Sequence, residues 1–206
     1  MVEKTIIPEE KLAKILDAAQ KRFARYGLQK TTMSEVADDL GISKAALYYY
    51  FPDKENIFKD VVLKEQTDFC LHMNKVIASG DNISSILNNY IEKRIEYLKR
   101  LLNLGQLNFE AFHASRPLFA ELGKIFFERE QTLISNALES ALRNKEIAKI
   151  DVEEYAAFFV RTLCALRIFA LEKRESWDNG DIDKKIKKEY QLFTKIFLQS
   201  IVKNEA

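Results

Sequence analysis

Ser43, Lys44, Ala45, Tyr48, Tyr49 and Lys54 gather hydroxyl, ammonium and phenol groups, with small side chains between them, into one short stretch. These types suit contact with a polyanionic backbone better than bond making. Hydroxyls and phenols donate to phosphate oxygens, and lysine neutralises phosphate charge. Ser43, Ala45 and Ala46 leave the leading turn of a helix free of bulk, so its backbone can sink into a major groove about 12 Å wide. The N–H groups at that helix end also favour an anion. Leu47 points the other way and is expected to anchor the helix.

The elements that must position these groups are legible on both sides. Thr32 and Glu35 have capping-box spacing, so a helix is expected to start at about Met33, with Thr32 itself a further candidate contact. Val36, Ala37 and Leu40 supply its apolar face, and Gly41 can adopt the left-handed conformation that ends it. Ile42 fills the turn and Ser43 is a good N-cap for a second helix, Lys44 to about Tyr50. Two short helices around a glycine turn make a helix-turn-helix. The expected chemistry is binding to double-stranded DNA.

The runs A-A-x-x-x-F-A-x-x-G (Ala18 to Gly27), T-T-M-S-E-V-A (Thr31 to Ala37) and G-I-S-K-A-A-L-Y-Y-Y-F-P-D-K-E (Gly41 to Glu55) resemble the TetR family of bacterial transcriptional repressors. The likeness covers roughly the first quarter of the chain. Tyr50 departs from it, since many relatives carry His there. The resemblance implies a repressor that binds a palindromic operator as a homodimer, and a small effector that enters the C-terminal part, shifts the fourth helix and respaces the two DNA-binding heads.

Composition is that of an ordinary folded protein: 206 residues, 47% hydrophobic and 31% charged. No apolar run reaches the ~18 residues of a membrane span, and the first residues lack a signal-peptide pattern. Cys70 and Cys164 lie far apart without metal-ligand spacing, which suggests reduced thiols and a cytoplasmic location. A net charge of +1 is small for a nucleic-acid binder, and within residues 1–60 eight Lys and two Arg are balanced by five Asp and five Glu. Placement matters more than the total. Lys21, Arg22, Arg25, Lys30, Lys44 and Lys54 are expected to surround the groove-facing helix, with Asp38 and Asp39 remote from it.

Helical periodicity runs through the chain, with no sustained period-two alternation. The expected fold is all-α, with about nine helices. A three-helix DNA-binding domain (residues 1–55) is joined by a continuous helix, about Asp53 to Ser79, to a helical bundle for effector binding and dimerisation (residues 56–206). Expected bundle helices run from Ile83 to Leu102, Gln106 to Ala114, Pro117 to Arg143, Asp151 to about Glu175 and Asp181 to Val202. Ten of the 14 Phe lie at or after Phe109.

The last two helices carry apolar residues on more than one face, which calls for cover on more than one side. A second copy of the chain is expected to supply it, through Phe159, Leu163, Leu166, Phe193, Ile196 and Phe197. Arg161 and Arg167, set within that apolar run, either pair across the interface or extend to solvent. Tyr97, Phe109, Phe112, His113, Phe126, Phe127 and Phe158 are candidates to line a pocket for a small hydrophobic effector, although ordinary core packing would use the same residues. An enzyme is disfavoured. No G-x-S-x-G, phosphate-binding glycine loop or H-E-x-x-H is present, two histidines offer little acid–base chemistry, and no cofactor or metal is implied. The other alternative is a helical interaction module without DNA binding, for which the outward polar groups at 43–54 would have no use.

Overall fold

The computed structural model describes residues 8–105, 116–172 and 179–203, with side chains over 8–100, 117–168 and 184–203. Among these, eight helices follow in order: α1 (Glu9–Lys30), α2 (Met33–Asp39), α3 (Lys44–Tyr50), α4 (Lys54–Ala78), α5 (Ile83–Gly105), α6 (Arg116–Arg143), α7 (Val152–Glu172) and α8 (Asn179–Ile201). An expected helix at 106–114 lies outside the described residues. None of the described helices is long and apolar enough to cross a membrane. The chain divides into two compact units, one from the residues up to Gln66 with Leu98–Leu122, the other from Thr67–Tyr97 and the residues from Gly123 onward.

The first unit closes over α1 to α3 and the leading part of α4. Ile15, Leu16, Ala19 and Phe23 recur along α1 at helical spacing and are buried. Phe23 meets the edge of Phe58 at 5.3 Å between ring centres, and Ile57, Val61 and Val62 of α4 complete the core. That use of α4 is why the unit runs past the expected boundary at residue 55. Asp53 caps α4 through a 2.7 Å bond from the Asn56 N–H.

The ends of α1 and α2 are set by local chemistry. Gly27, at φ 78° and ψ 163°, is non-helical, so the long segment of α1 ends at Tyr26 as expected and a short further turn runs on to Lys30. The Thr32 hydroxyl accepts from the Glu35 N–H, while the Glu35 carboxylate accepts from the Thr32 N–H at 2.8 Å. The α2 helix ends in a Schellman turn. The Ile42 N–H donates to the Ala37 carbonyl, the Gly41 N–H to that of Asp38, and Gly41 sits at φ 64°.

In the second unit α7 packs along α8. Phe159 lies 4.8 Å from Phe197 and 5.3 Å from Phe193, ring centre to ring centre. The end of α6 is another Schellman turn with Lys145 at φ 63°, its Glu146 N–H donating to the Ala141 carbonyl. An isolated antiparallel bridge pairs Ile147 with Val202, and the Glu146 carboxylate accepts from the Ile83 N–H at 2.7 Å, capping α5.

Space around a Cβ at Gly41 is open, so replacement there meets only the backbone penalty of positive φ. Gly41→Ala should therefore cost roughly 1–2 kcal/mol in a urea unfolding titration, with no change in the folded far-ultraviolet spectrum.

Candidate DNA-binding surface and the core of the second unit

The α3 helix is seven residues long and two-faced. Ser43 caps it, its hydroxyl accepting from the Ala46 N–H at 3.1 Å. Leu47 is fully buried, and Phe51 just beyond the helix is buried beside the same core. Ser43, Lys44, Ala45, Tyr48 and Tyr49 are exposed, the two tyrosines at 45% and 64%. Burying Leu47 contributes about 1.5–3 kcal/mol, which sets which side of so short a helix faces inward. The leading turn and the two phenols consequently share the outward side.

Tyr50 is half-buried beneath Lys11, whose ammonium sits 4.8 Å from the ring centre, and meets the edge of Tyr49 at 5.2 Å. Lys44 lies 5.7 Å from the Tyr48 ring centre. Thr32 is exposed at the start of α2, its hydroxyl donating to Glu35 at 2.8 Å.

Among the expected cations, Arg22 and Lys54 are held by hydrogen bonds to the fold. Arg22 reaches Asp39 through two bonds of 2.5 and 2.8 Å and approaches Glu35 at 3.3 Å. Its bond to Arg22 holds the Asp39 carboxylate below its usual range, and the bonds from Thr32 do the same for Glu35. Arg22 thus braces α1 against α2, and Asp39, expected to be remote, is its counter-ion. Lys54 donates to the carbonyls of Gln29 and Thr31 at 3.1 and 3.0 Å, tying the start of α4 to the α1–α2 connection.

The second unit redistributes the expected pocket and dimer residues. Tyr97 is buried against Phe126, 5.9 Å between ring centres, and Phe127 lies under the Arg161 guanidinium at 6.0 Å. Phe109, Phe112 and His113 lie outside the described residues. Phe158 is no inner lining residue. At 54% exposure it edges an open groove of about 460 Å³ on α7, with Arg161, Thr162, Ala165 and Leu166. Phe159, Leu163 and Phe197, expected at a dimer face, are instead buried core of their own chain. One residue along a helix is a rotation of about 100°, enough to exchange inside for outside. Leu166 and Phe193 are half-buried and Ile196 is exposed, in company with Phe158, Ile168 and Leu192.

A buried polar cluster at the centre of this unit was not anticipated. The Arg94 guanidinium, 2% exposed, donates from Nε to Glu130 at 2.8 Å and from Nη1 to the Tyr190 hydroxyl at 2.8 Å. Its Nη2 faces the Cys164 sulfur at 3.4 Å. Tyr90 donates to the same Glu130 oxygen at 2.7 Å, and Tyr190 to the Leu163 carbonyl at 3.0 Å. Burial alone would lower the Arg94 pKa, but Glu130, Tyr190 and Tyr90 outweigh it and the group stays charged. Burial, followed by the Glu130 charge, raises the Tyr90 phenol well above its ordinary value, so it remains a donor. Burial likewise pushes the Cys70 thiol up to about 11, so it stays protonated at neutral pH. Among the described residues, no three His, Cys, Asp or Glu are grouped to hold a metal ion. A sequence signal for the cluster existed: Arg94 and Glu130 stand at core-spaced positions between Tyr90 and Leu98 and between Phe126 and Leu133.

The helix-turn-helix falls within a stretch, residues 15–61, that matches the model for bacterial regulatory proteins of the tetR family. A solved transcriptional regulator from Cytophaga hutchinsonii is 36% identical, with a TM-score of 0.85 over 95% of this chain and all of the other. The chain belongs to the TetR family. This TetR-family member is a DNA-binding transcriptional regulator. It is also similar to YfiR of Bacillus subtilis, an uncharacterised HTH-type transcriptional regulator, at 28% identity over 63% of this chain and 81% of that protein. Thermus thermophilus FadR, a TetR-family repressor solved in complex with lauroyl-CoA, shares the fold at 21% identity and a TM-score of 0.65, over 95% of this chain and 97% of that one.

Removing one half of a buried ion pair strands the other. Arg94→Met alone should cost about 3–5 kcal/mol in urea unfolding, and Arg94→Met with Glu130→Met together should recover most of that loss.

Proposed function

We propose that this regulator binds a palindromic operator as a twofold dimer, represses transcription by occluding a promoter, and is released by a small, largely apolar effector. In this reading residues 1–55 contact DNA, and residues 56–206 bind the effector and dimerise. The observation that carries it is the outward face of α3: Ser43, Lys44, Ala45, Tyr48 and Tyr49 are exposed together above the buried Leu47. A leading turn of small residues suits entry into the major groove, and flanking phenols suit the phosphates on either side. Thr32 extends the phosphate contacts from α2. Lys54 acts chiefly by fixing the α1–α2 connection, with its charge close to the backbone.

One seven-residue helix reads few base pairs, so specificity calls for a symmetric partner reading a second half-site about 34 Å away or a multiple of that. The face that supports dimerisation is the outer one of α7 and α8, where Phe158, Ile168, Leu192 and Ile196 are each at least 50% exposed. Four large apolar side chains on two packed helices favour a protein partner. Effector control is supported by α4, which continues unbroken from beside α3 to Ala78. FadR, with the same fold, holds lauroyl-CoA, and an effector with an apolar body is proposed here by analogy.

An operator is first selected from a random duplex library with the full-length protein. Lys44→Ala should then weaken binding to all duplexes and lower the slope of log affinity against log salt by about 1, and Tyr49→Phe should weaken it without altering sequence preference. Unchanged affinities in both variants would place the interface elsewhere. Leu192→Glu combined with Ile196→Glu should sediment as a monomer at micromolar concentration and lose operator binding, whereas a persisting dimer would exclude the α7–α8 face.

A further inference from the structure

Several cations of the first unit already have an anion or a carbonyl to answer them. Lys14 is paired with Glu10 at 2.7 Å, Lys64 with Asp17 at 2.6 Å and Lys59 with Glu121, while Arg22 and Lys54 brace the helix-turn-helix. Two lysines are held differently. Lys44 stands 5.7 Å from the centre of the Tyr48 ring, and Lys11 stands 4.8 Å from that of Tyr50. Both are exposed, and neither makes an ion pair among the described residues.

A ring face attracts an ammonium through its quadrupole but has no net charge, so the lysine keeps its full charge and its N–H donors. The ring also restricts a side chain rich in rotamers, so less freedom is lost when an anion arrives. Such an ammonium is positioned and uncompensated at once. The carboxylates next to Lys11 do not alter this. Glu10 is turned to Lys14, and Glu9 is two residues away, a spacing that does not share a helix face.

The places of the two lysines beside α3 say which anion fits. Lys44 opens that helix and Tyr50 is its last residue. At 1.5 Å rise per residue they lie about 9 Å apart along the axis, close to the ~12 Å width of a major groove whose two walls are phosphate backbones. Tyr50 also meets the edge of Tyr49, which is 64% exposed on the outward face. Lys11 therefore stands one ring away from that face, although it belongs to α1.

We infer that Lys11 is a phosphate contact of the DNA-binding surface, and that Tyr50 is a positioning residue holding its ammonium beside the trailing end of α3. Lys44 and Lys11 then meet the DNA backbone at opposite ends of that helix. This rests on the α3 reading above and extends the surface to the first turn of α1, which that reading did not include.

The test uses the full-length protein, its selected operator and an unrelated duplex. Lys11→Met keeps an apolar stem on the ring and removes the charge. It should weaken binding to both duplexes by a similar factor and lower the slope of log affinity against log salt by about 1 for each bound protomer. Between about 50 and 200 mM salt, the advantage of the unsubstituted protein should thus shrink about threefold per protomer. Lys11→Arg should stay within about twofold. Tyr50→Leu should weaken binding, Tyr50→Phe, which keeps the ring face, should not, and Tyr50→Leu should add little once Lys11→Met is present. A merely structural contact between α1 and α3 would lower the urea midpoint of Lys11→Met and leave the salt slope of the folded protein unchanged, which would overturn the assignment. Tyr50→Phe binding as weakly as Tyr50→Leu would also overturn it, by giving the contact to the phenol. Lys44→Ala is measured beside these variants. If it weakens binding and Lys11→Met does not, the Lys11 assignment alone fails; if neither weakens it, the α3 surface fails and Lys11 with it.

Discussion

A helix of seven residues has no stability of its own, since isolated helices shorter than about 12–15 residues are marginal in water. The outward presentation of α3 therefore depends on Leu47 being gripped from below, with Phe51 closing the far end. The α2 helix beneath is equally short and is held by its terminal bonds: the reciprocal Thr32–Glu35 cap at one end, the Gly41 turn at the other. The Arg22–Asp39 pair then ties α2 to α1, the only one of the first three helices long enough to act as a beam. With support supplied from underneath, Lys44 and Tyr49 are left with little duty toward the fold, and Ser43 with only its cap on α3. Side chains relieved in this way are free to meet another molecule.

The second unit solves a different problem. Its helices are longer and their apolar faces broad, so hydrophobic contact alone leaves several ways of sliding one past another. The buried Arg94–Glu130 pair, with Tyr90 on the same carboxylate and Tyr190 on the guanidinium, permits far fewer. It joins α5 to α6 and, through Tyr190, to α8 and the Leu163 carbonyl of α7. Charged groups cost free energy when taken out of water, so a buried pair of this kind adds little net stability, whereas removing one partner alone is costly.

The first unit was largely legible in the sequence because its signals are local. A capping box, a left-handed glycine and a serine N-cap act over four or five residues, and α2 and α3 begin where those signals put them. Gly27 ends the long segment of α1 in the same local way, and only the short turn beyond it to Lys30 went unsignalled. In the second unit, periodicity located the helices but not their rotation. Phe158 and Phe159 are neighbours, one exposed and one fully buried, and no composition rule separates them. The expected α5 stripe passes from Ile91 to Leu98, and the interruption is Arg94. A charge at a core-spaced position is a sign of a partner, and Glu130 occupies the matching position in α6. That pairing joins residues 36 apart in sequence, and only folding makes it visible.

Glu146 closes the second unit in two unlike ways. Its side chain caps α5 at Ile83, while its backbone carbonyl accepts from the Lys203 N–H beside the Ile147–Val202 bridge. Main-chain bonds do not read the side chains of the residues that make them, so substitutions at 202 and 203, proline at 203 excepted, leave that join in place. The cap, in contrast, needs an acceptor at the end of a side chain of fixed reach. Drift is therefore permitted at one side of this junction and forbidden at the other, although both sides meet at a single residue.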